Sequence, residues 1–364
     1  MKHTEILKRA WNILWSYKTL WIFGLLLAMT TATSSTRILE FSSPGQGQQQ
    51  PITIDPGREI GQQVEDAIDE LQNIFNQTIP PEVSTTLIII GVVLACLALI
   101  LILLRVILRF VSETALIRMV DDYEASGEKR NWKEGFRSGW SRLAGRLFLI
   151  NLVVNIPAMI LFVVYMLLAL LPLFLWADGN MTAGIIGTVS TIGLFFLGIF
   201  LAILVGALLQ LFKRFFFRAA ALEDQGVLAA LRRGLALVRQ NWREVGLMWL
   251  LTVGIHLGFA IVMIPVAFLV LVLAAMIGGI VFVTGAGITS LFGGSTLSGE
   301  ELAIIVGVLT GLPVFFLTVL LPLSFLGGLL QTFLSSTWTL TYRELLAMEA
   351  LANGNDPIED PSEE

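Results

Sequence analysis

Hydrophobic positions along the chain fall into long uninterrupted blocks rather than into the alternations of half-buried helices or strands. Six blocks stand out, at about 20–32, 86–104, 147–176, 183–212, 245–283 and 302–340. A helix needs roughly 20 apolar residues to cross about 30 Å of hydrocarbon. Five blocks meet that length, and 20–32 is shorter but led by Trp11, Trp15 and Trp21, which suit an interfacial aromatic belt. Only "ADGNMT" separates 147–176 from 183–212, so these two predict a helical hairpin. The last two blocks run to nearly twice the roughly 20 residues required. They contain Pro265, Pro313 and Pro322, so kinks, tilt or a partly re-entrant segment are expected to absorb the excess. The pattern predicts an all-α polytopic membrane bundle of six transmembrane helices, a single integral membrane domain over residues 1–364.

Composition agrees, with 55% apolar residues, 14% charged residues and a mean hydropathy of +0.80, outside the range of soluble domains. Charge then orients the chain. With six spans and a cytoplasmic N-terminus, 21 of the 23 Lys and Arg residues fall on one side, and only Arg37 and Arg58 lie across the membrane. The external loop, 33–85, carries eight acidic residues instead. It holds a Gln-rich stretch, "SSPGQGQQQP", and then Ile60, Val64, Ala67, Ile68, Leu71 and Ile74 at the spacing of an acidic amphipathic helix. Residues 341–364 read as a cytoplasmic acidic tail. A competing reading takes "LWIFGLLLAM" with "TTATSS" as a signal peptide. The lone Cys96 excludes an intramolecular disulfide.

An internal repeat argues that the first segment is retained. "LKRAWNILWSYKTLWIFGLL", "WKEGFRSGWSRLAGRLFLINLV" and "LRRGLALVRQNWREVGLMWLLTV" are each a basic, Trp-bearing amphipathic stretch running into a span. Ala10, Gly135 and Gly234 fall at matching places, followed by Trp11, Phe136 and Leu235. The even spans leave the membrane as helices that gain acids and stop near Gly127, Gly226 and Gly354. The six spans therefore read as three two-span repeats, each with a cytoplasmic interfacial helix.

The opening "AWNILWSYKTLWIFGLLLA" and the stretch "ALEDQGVLAALRRGLALVRQNW" resemble the bacterial membrane proteins grouped with the glycerophosphodiester phosphodiesterase membrane domain and the YciC-like families. The resemblance implies a multi-pass protein of the bacterial inner membrane, and the charge distribution over six spans predicts both termini on the cytoplasmic side. It carries no catalytic signature: in those relatives a separate soluble domain does the chemistry, and this chain has two histidines, His3 and His256, and no room for that domain.

Motifs of chemistry are sparse. The chain has neither a P-loop nor an H-E-x-x-H pattern, and no block contains the Asp or Glu that ion-driven carriers keep at membrane depth. No catalytic, cofactor or metal residue is predicted. The ionisable group deepest in a block is His256, between Gly254 and Gly258, a small-xxx-small pair that admits a neighbouring helix. Asn151 and Asn155, one turn apart, are expected to hydrogen-bond it, either fixing helix packing or lining a polar cavity. Gly198, Ala202 and Gly206, and Gly307 with Gly311, are further packing faces.

Basic clusters are the remaining candidates. Arg105, Arg109 and Glu113 share a face, and Glu113 is placed to neutralise Arg109 at the surface. Lys213, Arg214 and Arg218 surround Phe215 to Phe217 where the fourth span ends; the rings would lie at acyl-chain depth while the cations snorkel to phosphate. In "LRRGLALVRQNWR", Leu231, Leu235, Val238 and Trp242 form a stripe flanked by Arg232, Arg239 and Arg243, the pattern of a helix half-sunk in a leaflet. All eight cations are candidate contacts to anionic lipid headgroups. The expectation is a non-catalytic protein that organises lipids or a membrane-protein partner, with no nucleic acid. The alternative is a transporter or transport subunit with a polar cavity near His256.

Overall fold

The computed structural model describes residues 1–35, 81–178, 180–292 and 299–352. The regular structure of these residues is entirely helical. The elements are α1 (His3–Ser16), α2 (Leu20–Ser35), α3 (Pro81–Ser126), α4 (Trp132–Gly139), α5 (Arg142–Ala169), α6 (Met181–Leu222), α7 (Val227–Gln240), α8 (Trp242–Phe292) and α9 (Gly299–Ala352), with a 3₁₀ turn, Leu171–Asp178, between α5 and α6. Five helices are long and apolar enough to cross a membrane, and six if α1 and α2, bent by 102° at their junction, count as one broken span. The all-α polytopic architecture is thus present. The expected helix over 60–74, with Arg37 and Arg58, lies outside the described residues, as does 353–364.

Two compact units divide the chain: Met1–Thr31 with Leu108–Glu364, and Ala32–Ile107. Within the larger unit the buried residues concentrate where the short helices sit. Ile6, Leu14 and Tyr17 pack there, as do Leu116, Ile117, Met119 and Val120 on α3, Leu147 on α5, Phe215 to Ala221 on α6, Leu237 on α7 and Phe333, Leu334, Trp338, Tyr342 and Leu345 on α9. Away from this end the spans keep their apolar side chains outside, as with Leu161, Phe196, Ile261 and Phe268. Such surface is stable only against hydrocarbon.

Local chemistry sets the junctions. Asn131 caps α4, its Oδ1 accepting from the Trp132 N–H at 2.8 Å while Glu134 returns the capping-box bond to the Asn131 N–H. Ser141 and Asn180 cap α5 and α6. Gly127 ends α3 at φ +70°, its N–H donating to the Tyr123 carbonyl at 2.8 Å, as its sequence position implies. Gly226 does a different job from the expected one. It caps the start of α7 at φ −67°, and the left-handed turn after α6 falls on Asp224.

Small residues let the short helices seat against long ones. Ala10 is fully buried; a Cβ at Gly135 would meet Met119 Sδ at 2.3 Å, and one at Gly234 would meet Phe216 Cδ1 at 2.6 Å. The spans also meet at glycines. A Cβ at Gly311 would lie 2.9 Å from the Gly278 carbonyl oxygen and one at Gly307 2.8 Å from Phe282, so α8 and α9 are in backbone contact along the expected Gly307 and Gly311 face. At Gly254 and Gly258 nothing among the described residues comes within 4 Å of a Cβ, so the helix approach expected there is not made by those residues.

Two boundary expectations change. α8 and α9 run through Pro265, Pro313 and Pro322 as single helices of 51 and 54 residues, neither one re-entrant. Residues 341–352 are not a tail but the last turns of α9, with Tyr342 and Leu345 fully buried. Arg233 of α7 holds that end. It donates to both Glu349 oxygens at 2.8 and 2.6 Å and to Glu223 at 3.1 Å, while the Tyr342 hydroxyl donates to Glu223. The bond to Glu349, aided by the charges of Glu223 and Glu349, holds the Arg233 pKa above the ordinary arginine range. Arg233→Met is expected to lower stability by about 2 kcal/mol, and Arg233→Lys to recover only part, because an ammonium cannot reproduce the fork. Thermal unfolding in detergent measures both.

Candidate functional site

Close to the buried end of the larger unit, five helices leave a cavity of about 240 Å³. Arg109 and Glu113 reach it from α3, Lys213 and Arg214 from α6, and amides come from Asn151 on α5, Gln210 on α6 and Gln331 on α9; Leu27, Thr31 and Phe217 complete the wall. The helices continue past these side chains, so the polar groups stand inside the helical bundle rather than at its ends.

Each cation is held differently. Lys213 Nζ donates to Asn155 Oδ1 at 3.1 Å and to Asn151 Oδ1 at 3.4 Å, and Asn155 Nδ2 donates to Asn151 Oδ1 at 2.8 Å. The Arg214 guanidinium lies over the Trp338 ring, 5.2 Å from its centroid. Arg109 Nε is buried and has no hydrogen-bond partner among the described residues. Glu113, half-buried, is surrounded by the charges of Arg109, Arg218, Arg214 and Lys213. The lining thus sets three cations against one carboxylate, with amide donors between them. That set is the chemistry of an anion site, in which a charge-assisted hydrogen bond is worth about 1.5–3 kcal/mol.

The arrangement brings together some predicted residues and separates others. Arg109, Lys213, Arg214 and Asn151 meet at the cavity, with Asn155 behind Lys213. His256 is elsewhere: its Nδ1 lies 2.8 Å from the Thr252 carbonyl of its own helix, so the asparagines serve Lys213 and not the histidine. Arg218 does not snorkel. It is 3% exposed and donates to the Arg214 and Ser335 carbonyls at 2.8 and 2.9 Å, because α6 continues into a core where Phe215, Phe216 and Phe217 are buried as well. Arg105 is half-buried on α3 in the Ala32–Ile107 unit.

On α7 the inward face is Ala230, Gly234, Leu237 and Val238. Of the expected stripe, Val238 is therefore inside, while Leu235 and Trp242 are 50% and 65% exposed among the exposed Arg232, Arg239 and Arg243. Arg243 lies over the Trp242 ring at 5.5 Å. Gln210 and Gln331 were not among the sequence candidates, and Glu113 was read only as a surface partner of Arg109. Gln210 and Gln331 were visible as lone amides in apolar runs, and Glu113 as a carboxylate on an unbroken helix.

The model of a family described as "Family of unknown function (DUF7544)" matches residues 7–341. No curated protein and no solved structure matches the chain.

Proposed function

For this chain, which belongs to the DUF7544 family, we propose a non-catalytic integral membrane protein that holds anionic lipid headgroups on the cytoplasmic side of a bacterial inner membrane. The observation that carries the reading is the convergence of Arg109, Lys213 and Arg214 on one cavity with a single carboxylate, Glu113. The excess of Lys and Arg at this end supports the cytoplasmic assignment through the positive-inside rule, with both termini on that side. Outside the cavity, Arg232, Arg239 and Arg243 beside exposed Leu235 and Trp242 form a second, shallower contact with the same leaflet, at about 1 kcal/mol per cation near the surface.

The three short helices support a threefold internal repeat. Each precedes an apolar helix after a short break, and Ala10, Gly135 and Gly234 seat them at matching positions. The backbone contact between α8 and α9 favours a sealed pair over a transport path between them. The transport reading placed a polar cavity near His256, which does not line the cavity at Lys213.

Native mass spectrometry after extraction into a neutral detergent, with anionic and zwitterionic phospholipids in competition, tests this. The K213Q/R214Q variant is expected to lose at least about tenfold in anionic-lipid retention, since each charge-assisted bond is worth about 1.5–3 kcal/mol. R232Q/R239Q/R243Q should retain its tightly bound lipid. Equal retention by wild type and K213Q/R214Q overturns the headgroup assignment.

A further inference from the structure

The cation-lined cavity and an apolar cleft are lined by neighbouring stretches of the same two helices, α5 and α6. The cleft, about 460 Å³, runs between α5 and α6 and is walled by Ala158, Phe162 and Tyr165 on one side and Gly198, Ala202 and Gly206 on the other. Spacings of three and four place Asn151, Asn155, Ala158, Phe162 and Tyr165 on one stripe of α5. Spacings of four, seven and four place Lys213, Leu209, Ala202 and Gly198 along one stripe of α6. Cavity and cleft are therefore consecutive stretches of the same two faces, with Leu209 lining one and Gln210 the other. Lys213 stands between them, held by the two asparagines.

The cleft is a wedge. At Gly198 it closes, because a Cβ there would lie 2.3 Å from Tyr165 Cε1, and the Tyr165 hydroxyl fixes that ring by donating to the Leu194 carbonyl at 2.9 Å. At Gly206 it is open, with nothing within 4 Å of a Cβ. The open end is the one next to the cations. From Gly198 to Leu209 the helix rises about 16 Å at 1.5 Å per residue. That is the thickness of one leaflet of an about 30 Å hydrocarbon core.

We infer that the occupant is a lipid phosphomonoester, its phosphate held by Arg109, Lys213 and Arg214 and its hydrocarbon chain lying in the α5–α6 cleft. The inference rests on the headgroup reading above and adds the chain and the class of head. Charge selects the head: the lining side chains carry three positive charges against one negative, and a phosphomonoester carries about −1.5 to −2 at pH 7. A phosphodiester or a sulfate, with one negative charge, leaves a cation uncompensated in a site where Arg109 Nε already has no partner. Size permits it, because about 240 Å³ admits a phosphate.

The test titrates detergent-solubilised protein with inorganic phosphate, butyl phosphate, decyl phosphate and decyl sulfate, on wild type, K213Q/R214Q and G206L. Gly206→Leu fills the open end of the cleft without a clash, and an unchanged melting temperature verifies its fold. Wild type is expected to bind all three phosphates, decyl phosphate at least about tenfold tighter than butyl phosphate and tighter than decyl sulfate. G206L should keep its affinity for inorganic phosphate and lose the gain with chain length, whereas K213Q/R214Q loses every phosphate. Detergent partitioning contributes equally to wild type and G206L, so their difference reads the cleft alone. A gain that persists in G206L overturns the chain assignment and leaves the headgroup reading standing. Decyl sulfate binding as tightly as decyl phosphate overturns the phosphomonoester assignment. Absence of inorganic phosphate binding by wild type, or its survival in K213Q/R214Q, overturns the headgroup reading itself. Native mass spectrometry of protein purified from membranes separates the sources: a retained lipid phosphate supports the inference, and bare phosphate alone overturns it.

Discussion

Replacing Gly24 with leucine is expected to destabilise the folded bundle severely. A Cβ at this position would stand 1.9 Å from Thr332 Oγ1 and 2.4 Å from the Gly328 carbonyl oxygen, and one at Gly328 would stand 2.7 Å from the Leu25 nitrogen. The threonine side chain could rotate, but it is anchored by its bond to the Gly328 carbonyl at 2.9 Å, and the carbonyl itself is helix backbone. Relief therefore requires α2 to move away from α9 along its length. That movement would unseat Leu20 and Phe23, both buried beside this contact, and draw α1 from the core through the short link at Tyr17. Overpacking a core commonly costs about 1–3 kcal/mol and more when backbone must shift, so a loss of about 3 kcal/mol or more is expected. Size-exclusion chromatography and thermal unfolding in detergent give the readout. Gly258→Leu is the control, since nothing lies within 4 Å of its Cβ. A Gly24→Leu variant that melts with the wild type would show that α2 and α9 are not in backbone contact.

The spans were legible because hydrocarbon demands continuous apolar runs, and five of the six blocks sit inside long helices. Helix ends were not legible from the same signal, since hydropathy marks where the membrane is expected and not where a helix stops. From Arg105 to Ser126 and from Thr341 to Ala352 the chain contains no glycine or proline, so nothing terminates α3 or α9 where the apolar run does. That is why Glu113 was read as a surface partner of Arg109, and residues 341–352 as a tail. The facing of cations was equally hidden. Arg218 and Arg232 are chemically identical and both follow an apolar run, yet one is buried under α9 and the other is exposed, because burial depends on which neighbour covers the helix face. The Asn151–Asn155 pair was found at its correct spacing but given the wrong partner, since periodicity fixes a face and not what lies across from it.

Arg218→Gln should be the most destabilising charge removal in the chain, at about 3–5 kcal/mol, the range for breaking a buried ionic arrangement. The guanidinium joins α6 to α9 through the Ser335 carbonyl, and among the described residues the buried Ser335 hydroxyl and Trp338 Nε1 have no hydrogen-bond partner. Losing Arg218 also withdraws one of the cations that surround Glu113, leaving its carboxylate less compensated. Glu113→Gln alone should cost less, because Arg218 keeps both carbonyl bonds while Arg109, Lys213 and Arg214 lose a counter-charge. If the two charges act on one another through the low-dielectric interior, E113Q/R218Q will be more stable than the sum of the single losses predicts, by about 1–3 kcal/mol. Thermal unfolding of the four proteins closes the cycle. Strict additivity would mean that Arg218 works only as a hydrogen-bond strut between two helices, and that the balance of charge at the cavity is set by Arg109, Lys213, Arg214 and Glu113 without it.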